Sequence, residues 1–326
     1  MRFARDSFIA WAALEREAGE QLVYRTGGLD LYPENAHGWI DDYRGALDQC
    51  EVPYEWLEPA EVMSRWPQWQ LSDDVRTMLQ EDSGIVAADR ANAAHRRLAT
   101  SLGATLIPNA RVEQVSRNGG FFVLITDAAE YRAERLILAA DAWTNDLLGQ
   151  LWRPINLIVT QEQVTYYDSR DLEAFAPERF PVWIWMGEPS FYGVPAFGVP
   201  GAKIGRDVGG PEVTGKRRSF EPQRGYSEHL DAFMRSHLPG GFGPYLKQKT
   251  CLYTMTPDRE FVLDKIPGHA RAAVGLGAAH GFKFASVFGR SLVETVFDGE
   301  TKSDVSQWGI DREILTMDDP PKALVM

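Results

Sequence analysis

A lone thiol and a lysine at a helix start stand out among the residues that could do chemistry. Cys251 opens the run Cys-Leu-Tyr-Thr-Met-Thr-Pro-Asp258, and Lys283 follows thirty-two positions later in His280-Gly-Phe-Lys-Phe284. Between them, Ala272 to Val274 feeds a loop holding Gly275, Gly277 and Gly281, after which Phe284, Val287, Phe288, Leu292 and Val296 recur at helical spacing. A strand, a glycine loop and a helix start are therefore consecutive. Such a loop lets backbone N–H groups approach an anion or an electron-rich ring, with the positive end of the helix dipole behind them. The spacing G-x-G-x-x-x-G departs from the dinucleotide fingerprint, and no βαβ unit with an acidic strand end follows, so the glycines alone mark only a strand-to-helix turn. A lone cysteine is ordinarily a small buried hydrophobe, and a cation at a helix start is mildly unfavourable, which itself asks for a reason.

These residues need elements to hold them. Leu252 to Met255 and Phe261 to Leu263 flank Thr256-Pro257-Asp258, whose proline and aspartate favour a reversal, and a hairpin is expected there. Upstream, Asp6-Ser7 is placed as the cap of a helix to Ala18, and Leu22 to Tyr32 as a strand interrupted by Gly27-Gly28, where the backbone passes close to something else. Helices are expected over Trp39 to Cys50, Pro59 to Trp66, and Arg90 to Leu102 with Asp89 as cap; Ala104 to Ile107 then begins a strand. Val112 to Val115, Phe121 to Thr126 and Tyr131-Arg132 suit an antiparallel meander, and Leu136 to Ala140 a strand buried on both faces, followed by a helix from Trp143 to Leu148. Long β runs at Ile155 to Tyr167, Val182 to Met186, Phe191 to Phe197 and Ala202 to Gly205 argue for a broad antiparallel or mixed sheet. A helix from Glu228 to Leu238 follows, and Asp311 to Met326 reads as a loose tail.

Composition narrows the class. The chain has 326 residues, 44% of them hydrophobic, enough for a sizeable core and two domains. A net charge of −12 opposes binding to nucleic acid or anionic membrane. The N-terminal apolar run from Phe8 ends at Glu15, too short for a signal peptide, and no transmembrane stretch exists, so a cytoplasmic location is the expectation. Cys50 and Cys251 have no paired spacing and imply neither a disulfide framework nor a metal site.

Cys251-Leu-Tyr-Thr-Met-Thr-Pro-Asp258 with Phe261 and Asp264, followed by His280-Gly281-Phe282-Lys283-Phe284, resembles the C-terminal segment of the monomeric sarcosine oxidase and N-methyltryptophan oxidase family, FAD-dependent amine oxidases of the D-amino acid oxidase-like superfamily. The likeness extends from about Phe8 to about Leu315. It implies a mixed α/β (α+β) fold: a Rossmann-like FAD-binding domain (1–20, 80–152 and 265–326) and a substrate domain (21–79 and 153–264) with a large, mostly antiparallel sheet packed with helices. The family begins with a strand, a G-x-G-x-x-G turn and a helix that hold the FAD pyrophosphate, and this sequence has no such unit. By the resemblance, Met1 lies roughly 50 to 60 residues into the usual fold, and truncation is the expected reason, ahead of a relic that has lost its cofactor.

The resemblance also assigns roles. Cys251 corresponds to the cysteine that forms a thioether to the flavin 8-methyl carbon. Lys203 matches the lysine beside flavin N5, whose charge stabilises superoxide as the reduced flavin passes an electron to oxygen. Lys283 matches the cation that grips the substrate carboxylate together with an arginine of the missing N-terminal region. Tyr192 matches a pocket-lining residue; Gly281, Phe282, Trp143 and the Val112 backbone fall to the cofactor. Two departures stand out. Asp207 occupies the place of a histidine beside the substrate amine, where a carboxylate would favour the protonated amine unless burial raises its pKa. Asp141 replaces the glycine of a Gly-Ala-Trp turn. Trp183, Trp185, Phe191 and Phe197 are expected as core and not as a cage. The implied activity is oxidation of a secondary or cyclic amino acid: hydride to flavin N5, an imine product, and dioxygen reduced to hydrogen peroxide by a monomeric enzyme. The rival expectation is a non-catalytic amino acid binder without flavin.

Overall fold

The computed structural model describes residues 2–36 and 40–323. In chain order the strands are β1 (Val23–Arg25), β2 (Gly28–Tyr32), β3 (Glu55–Leu57), β4 (Arg76–Gln80), β5 (Gly84–Val86), β6 (Val112–Asn118), β7 (Phe121–Thr126) and β8 (Glu130–Ala133). They continue with β9 (Leu136–Leu138), β10 (Ile158–Tyr167), β11 (Val182–Trp185), β12 (Phe191–Val194), β13 (Ala202–Arg206), β14 (Tyr245–Met255), β15 (Val262–Ile266) and β16 (His269–Leu276). The helices are α1 (Arg2–Ala18), α2 (Ile40–Gln49), α3 (Pro59–Arg65), α4 (Ala88–Ser101), α5 (Thr144–Leu151), α6 (Arg224–His237) and α7 (Ala285–Phe297). The expected mixed α/β architecture with one large sheet is the one observed.

That sheet has eight strands in the order β14-β10-β13-β12-β11-β2-β4-β3. Its pairings are antiparallel except for β11 with β2. Side chains alternate between its faces. One face buries Tyr167, Trp183, Trp185, Phe191 and Ile204 against Tyr226, Leu230, Phe233 and Met234, a helical stripe on α6. Trp183 stacks on Phe233 at 5.3 Å and 15°, and the expected core role holds for Trp183, Trp185 and Phe191, whereas Phe197 is only half-buried and meets Tyr24 edge-on at 4.8 Å. Burial of each such side chain contributes about 1.5–3 kcal/mol. The opposite face is different: Asp30, Ile184, Tyr192, Val194, Lys203, Cys251 and Tyr253 are all only half-buried.

A second sheet, β15-β16-β9, pairs β16 parallel to β9 and carries α7 on one side. The glycines of the loop after it are explained by close packing. A Cβ on Gly275 would lie 2.6 Å from Leu292 of α7, and one on Gly277 would lie 2.9 Å from the Gly281 Cα. The meander β6-β7-β8 forms as expected.

Several local expectations are corrected. Met255 and Val262 do not close a hairpin: β14 pairs with β10 in the large sheet, β15 with β16 in the small one, and the turn between them carries the chain from one sheet to the other. The hairpin is β15–β16, around Gly268 at φ +81°. A turn signal fixes a reversal and is silent on which strands then pair. α1 begins at Arg2, so Ser7 lies inside the helix and not at its cap; Asp89 likewise lies within the first turn of α4. Ala104–Ile107 forms no strand: no described strand runs beside it, and Leu106 and Ile107 are nearly half exposed. Trp39, placed at a helix start, and the tail's last three residues lie outside the described residues. The rest of that tail is tied down. Leu315 is fully buried and its carbonyl accepts from the Asn156 amide, while Arg312 donates to Asp258 and the Phe261 carbonyl.

Candidate active site

The half-buried face of the large sheet gathers most of the residues singled out above. In the ladder Cys251 lies directly opposite Glu162, Lys203 opposite Tyr166 and Val194, and Tyr192 opposite Gly205. Directly opposed residues share a face, so thiol, ammonium and phenol project from the same side of the sheet. Gly205 makes room for the Tyr192 ring, because a Cβ there would sit 2.6 Å from the Tyr192 hydroxyl. That hydroxyl is 3.5 Å from the Tyr253 hydroxyl. The Lys203 ammonium lies 5.9 Å from the centre of the Tyr192 ring and 6.0 Å from that of Tyr166.

Electrostatics couples these groups. Burial pulls the Lys203 pKa down, opposed by Cys251. Burial pushes the Cys251 thiol up, the Glu162 charge adds to this, and Lys203 and Arg218 oppose it. Glu162, which sequence reasoning missed, is 1% exposed. Its carboxylate accepts from the Thr160 hydroxyl at 2.6 Å, the Gly210 amide at 3.1 Å and the Tyr226 hydroxyl at 2.9 Å. Three donors replace the water it lacks.

The facing wall is the turn that starts α7. Its Lys283 carbonyl accepts from the Ser7 hydroxyl at 2.6 Å and the Trp11 indole at 2.7 Å, both from α1. The Lys283 ammonium donates to the His280 carbonyl at 3.0 Å and meets His280 Nδ1 at 3.3 Å. His280 Nε2 lies 3.0 Å from the Arg259 carbonyl and must donate to it, which leaves Nδ1 as the acceptor for Lys283. Burial, then Lys283, bring the His280 pKa down to about 4, so the ring is neutral. Lys283 is exposed by surface area, with protein packed around its base. That setting lowers its pKa to about 8, with Asp207 opposing the fall and Arg259 adding to it.

Asp207 closes this wall in a way the sequence did not suggest. Both of its oxygens are taken by Arg259, at 2.9 and 3.2 Å, with the side chains 8% and 4% exposed. It is half of a bidentate ion pair and no longer a carboxylate waiting for a substrate amine. Arg259 sits directly after Asp258 in the quoted motif, at φ +56°, and a cation at that place was the available signal.

The remaining sites lie further out. Trp143 is 39% exposed, its indole resting where a Cβ on Gly215 would lie 2.5 Å away. Asp141 stands at φ +46°, the left-handed region in which a glycine is at ease. Val112 begins β6 in the meander, apart from the cluster around Lys203. Phe282 is 39% exposed, 6.1 Å from the Trp11 ring, and Gly281 packs under Phe288. A thiol, an ammonium and two phenols along one sheet face suit a broad planar ring system that takes up negative charge. Among the described residues no group of three or more His, Cys, Asp or Glu side chains is placed to hold a metal ion, and no helix is long and apolar enough to cross a membrane.

Comparison with known proteins gives the same direction. Residues 1–295 match the family model described as FAD dependent oxidoreductase. Monomeric sarcosine oxidase from Bacillus sp. (strain NS-129) is 27% identical over 309 residues, which is 94% of this chain and 80% of that protein. N-methyl-L-tryptophan oxidase from Yersinia pestis (strain Pestoides F) is 26% identical over 308 residues, 93% of this chain and 81% of that protein. Among solved structures, NikD, an unusual amino acid oxidase essential for nikkomycin biosynthesis, superposes in its open form with a TM-score of 0.84 at 25% identity, covering 94% of this chain and 82% of that one.

Proposed function

The chain belongs to the FAD-dependent oxidoreductase family, and on that premise we propose that it oxidises a secondary or cyclic amino acid to its imine, with dioxygen as electron acceptor and hydrogen peroxide as product. One observation carries this reading: Cys251, Lys203 and Tyr192 share a half-buried sheet face, and Asp207, Arg259 and His280 link the end of β13 to the turn that carries Lys283. The bound flavin supplies the electron sink for a hydride leaving the carbon beside nitrogen. The other tasks fall to side chains of this chain.

Cys251 would hold the ring through a thioether, Lys203 would supply positive charge where negative charge develops, and Gly281 and Phe282 would offer backbone contact. Trp143 and the Val112 backbone would hold other parts of the same cofactor. Lys283 would bind the substrate carboxylate. Its backbone is fixed by Ser7 and Trp11 and its ammonium by His280, so little side-chain freedom is lost on binding. Tyr192 and Tyr253 line the space between, where a hydrophobic and phenolic wall excludes water from the reacting carbon. The setting of this proposal is a cytoplasmic monomer acting on small molecules, its FAD-binding part comprising 1–20, 80–152 and 265–326 and its substrate part the rest.

The test is a panel of N-methyl and cyclic amino acids offered to the FAD-loaded protein, with peroxide read by a coupled peroxidase. Peroxide formation with at least one member, abolished in Lys283→Met, is expected. A flavin-loaded protein that yields peroxide with none of them contradicts the proposal.

A further inference from the structure

The active-site face of the large sheet does not stop at Tyr192. Tyr192 is directly opposite Ile184, Ile184 opposite Asp30, and Asp30 opposite Met78, so Asp30 projects from the same face two strands further on. At about 4.8 Å per strand spacing, this places its Cα about 10 Å from that of Tyr192. Beyond Asp30 the face is sealed: Met78, Tyr32 and Leu47 are buried in a cluster that joins α2 to β2 and β4, with Tyr43, Trp56 and Met186 packed on it. Asp30 therefore stands where the cover of α2 ends and the half-buried face begins.

Its surroundings are those of an unfilled polar site. Among the described residues no hydrogen-bond donor reaches the Asp30 carboxyl. The hydroxyl of Tyr32, on the same strand face, is buried without a partner. Tyr43 from α2 points its hydroxyl at Gln80 Oε1, 3.3 Å away, on the same face of β4. Asp30 itself is half-buried, with protein packed around it. Desolvation raises its pKa to about 7. A half-buried carboxyl with no donor is costly to retain unless something satisfies it in the working state.

We propose that Asp30 forms the far end of the substrate site and receives a second, cationic nitrogen on the substrate, so that the enzyme acts on a basic amino acid derivative, its carboxylate at Lys283 and its distal ammonium at Asp30. The inference rests on the amino acid oxidase reading for the Lys283 end. Tyr32 supplies a hydroxyl beside the incoming ammonium, and Ile184 lies under the alkyl chain between Tyr192 and Asp30. A substrate with an apolar side chain would leave the carboxyl unsatisfied, which is how buried polar groups discriminate.

The test compares the FAD-loaded wild type with Asp30→Asn, which preserves shape, and Asp30→Leu. Two measurements are made. The first is kcat/KM for Nα-methyl-L-lysine against N-methyl-L-norleucine; the second is calorimetric binding of 6-aminohexanoate against hexanoate, which lack the reacting amine. The wild type is expected to favour the aminated member of each pair by at least about tenfold, the order of one charge-assisted hydrogen bond. In both variants that preference should vanish while the apolar member is handled within about twofold of wild type. Equal handling of each pair by wild type, a preference that survives Asp30→Asn, or binding of neither acid overturns the proposal. Oxidation of both N-methyl acids without discrimination leaves the oxidase reading intact and removes the subsite. Asp30-dependent binding of 6-aminohexanoate with no oxidation of any amino acid does the reverse.

Discussion

Arg259 grips Asp207 through two N–H···O contacts of 2.9 and 3.2 Å, while its own carbonyl accepts from the His280 ring at 3.0 Å. One residue thus ties the end of β13 to the turn that carries Lys283. Removing one partner of a buried pair strands a charge, which costs about 3–5 kcal/mol. Asp207→Ala and Arg259→Met should each lose stability on that scale in urea unfolding. The double variant should lose clearly less than the two combined, and additive losses would show the pair to be uncoupled.

Lys283 sets a pH dependence. Its folded pKa is lowered to about 8, chiefly by burial, so the ammonium that binds a carboxylate is lost as pH rises through that value. Carboxylate affinity, read by titrating an unreactive acid such as hexanoate, should be flat below about pH 7 and fall above 8. Lys283→Arg, which does not titrate in this range, should flatten the profile. A profile in Lys283→Met identical to that of wild type would assign the titration elsewhere.

Gly205 offers a probe of Tyr192. A Cβ at Gly205 would meet the Tyr192 ring at 2.6 Å, so Gly205→Ala should tilt that ring off the sheet with little change in the fold. Turnover is expected to fall about tenfold or more, with the urea midpoint nearly kept. Unchanged turnover would mean that Tyr192 only packs.

How much of this was legible in the sequence follows from what is local. The part of α6 that carries Leu230, Phe233 and Met234, the β runs at β10 to β13 and the meander at β6 to β8 announce themselves in period, composition and turn residues, whereas Tyr226 fell outside the expected helix. Even the Gly27-Gly28 reading holds, since a Cβ on Gly28 would meet Ser83 at 2.6 Å. Pairing is another matter. The order β14-β10-β13 brings Cys251 and Lys203 to one face with β10 between them, although β10 precedes both in the chain, and no periodicity encodes that order. The Asp207–Arg259 pair spans fifty-two positions and needed both sheets in place to appear. Asp30 stood inside an unremarkable strand, and only the register shows that it shares a face with Tyr192.

Asp30 also carries a stability signature of its own. Its pKa rises from 3.8 to about 7 on folding, so the neutral carboxyl is the favoured form in the fold. The associated stability is complete below pH 3.8 and is lost as pH rises through about 7. Asp30→Asn should therefore match wild type near pH 4 and exceed it by about 2 kcal/mol at pH 8, a figure reduced from the full linkage because the carboxyl keeps contact with solvent. Chemical denaturation at the two pH values decides, and a difference independent of pH would contradict the assignment.

The flavin ring is proposed to lie among Cys251, Lys203 and Lys283. Incubating the purified chain with FAD in air, digesting it and weighing the peptide that contains Cys251 is the decisive measurement. That peptide should gain the mass of one flavin nucleotide less two hydrogens, which dioxygen removes as peroxide, with no such gain anywhere in Cys251→Ala. A chain that binds FAD tightly yet leaves the Cys251 peptide unmodified, or carries the adduct on another residue, would contradict it.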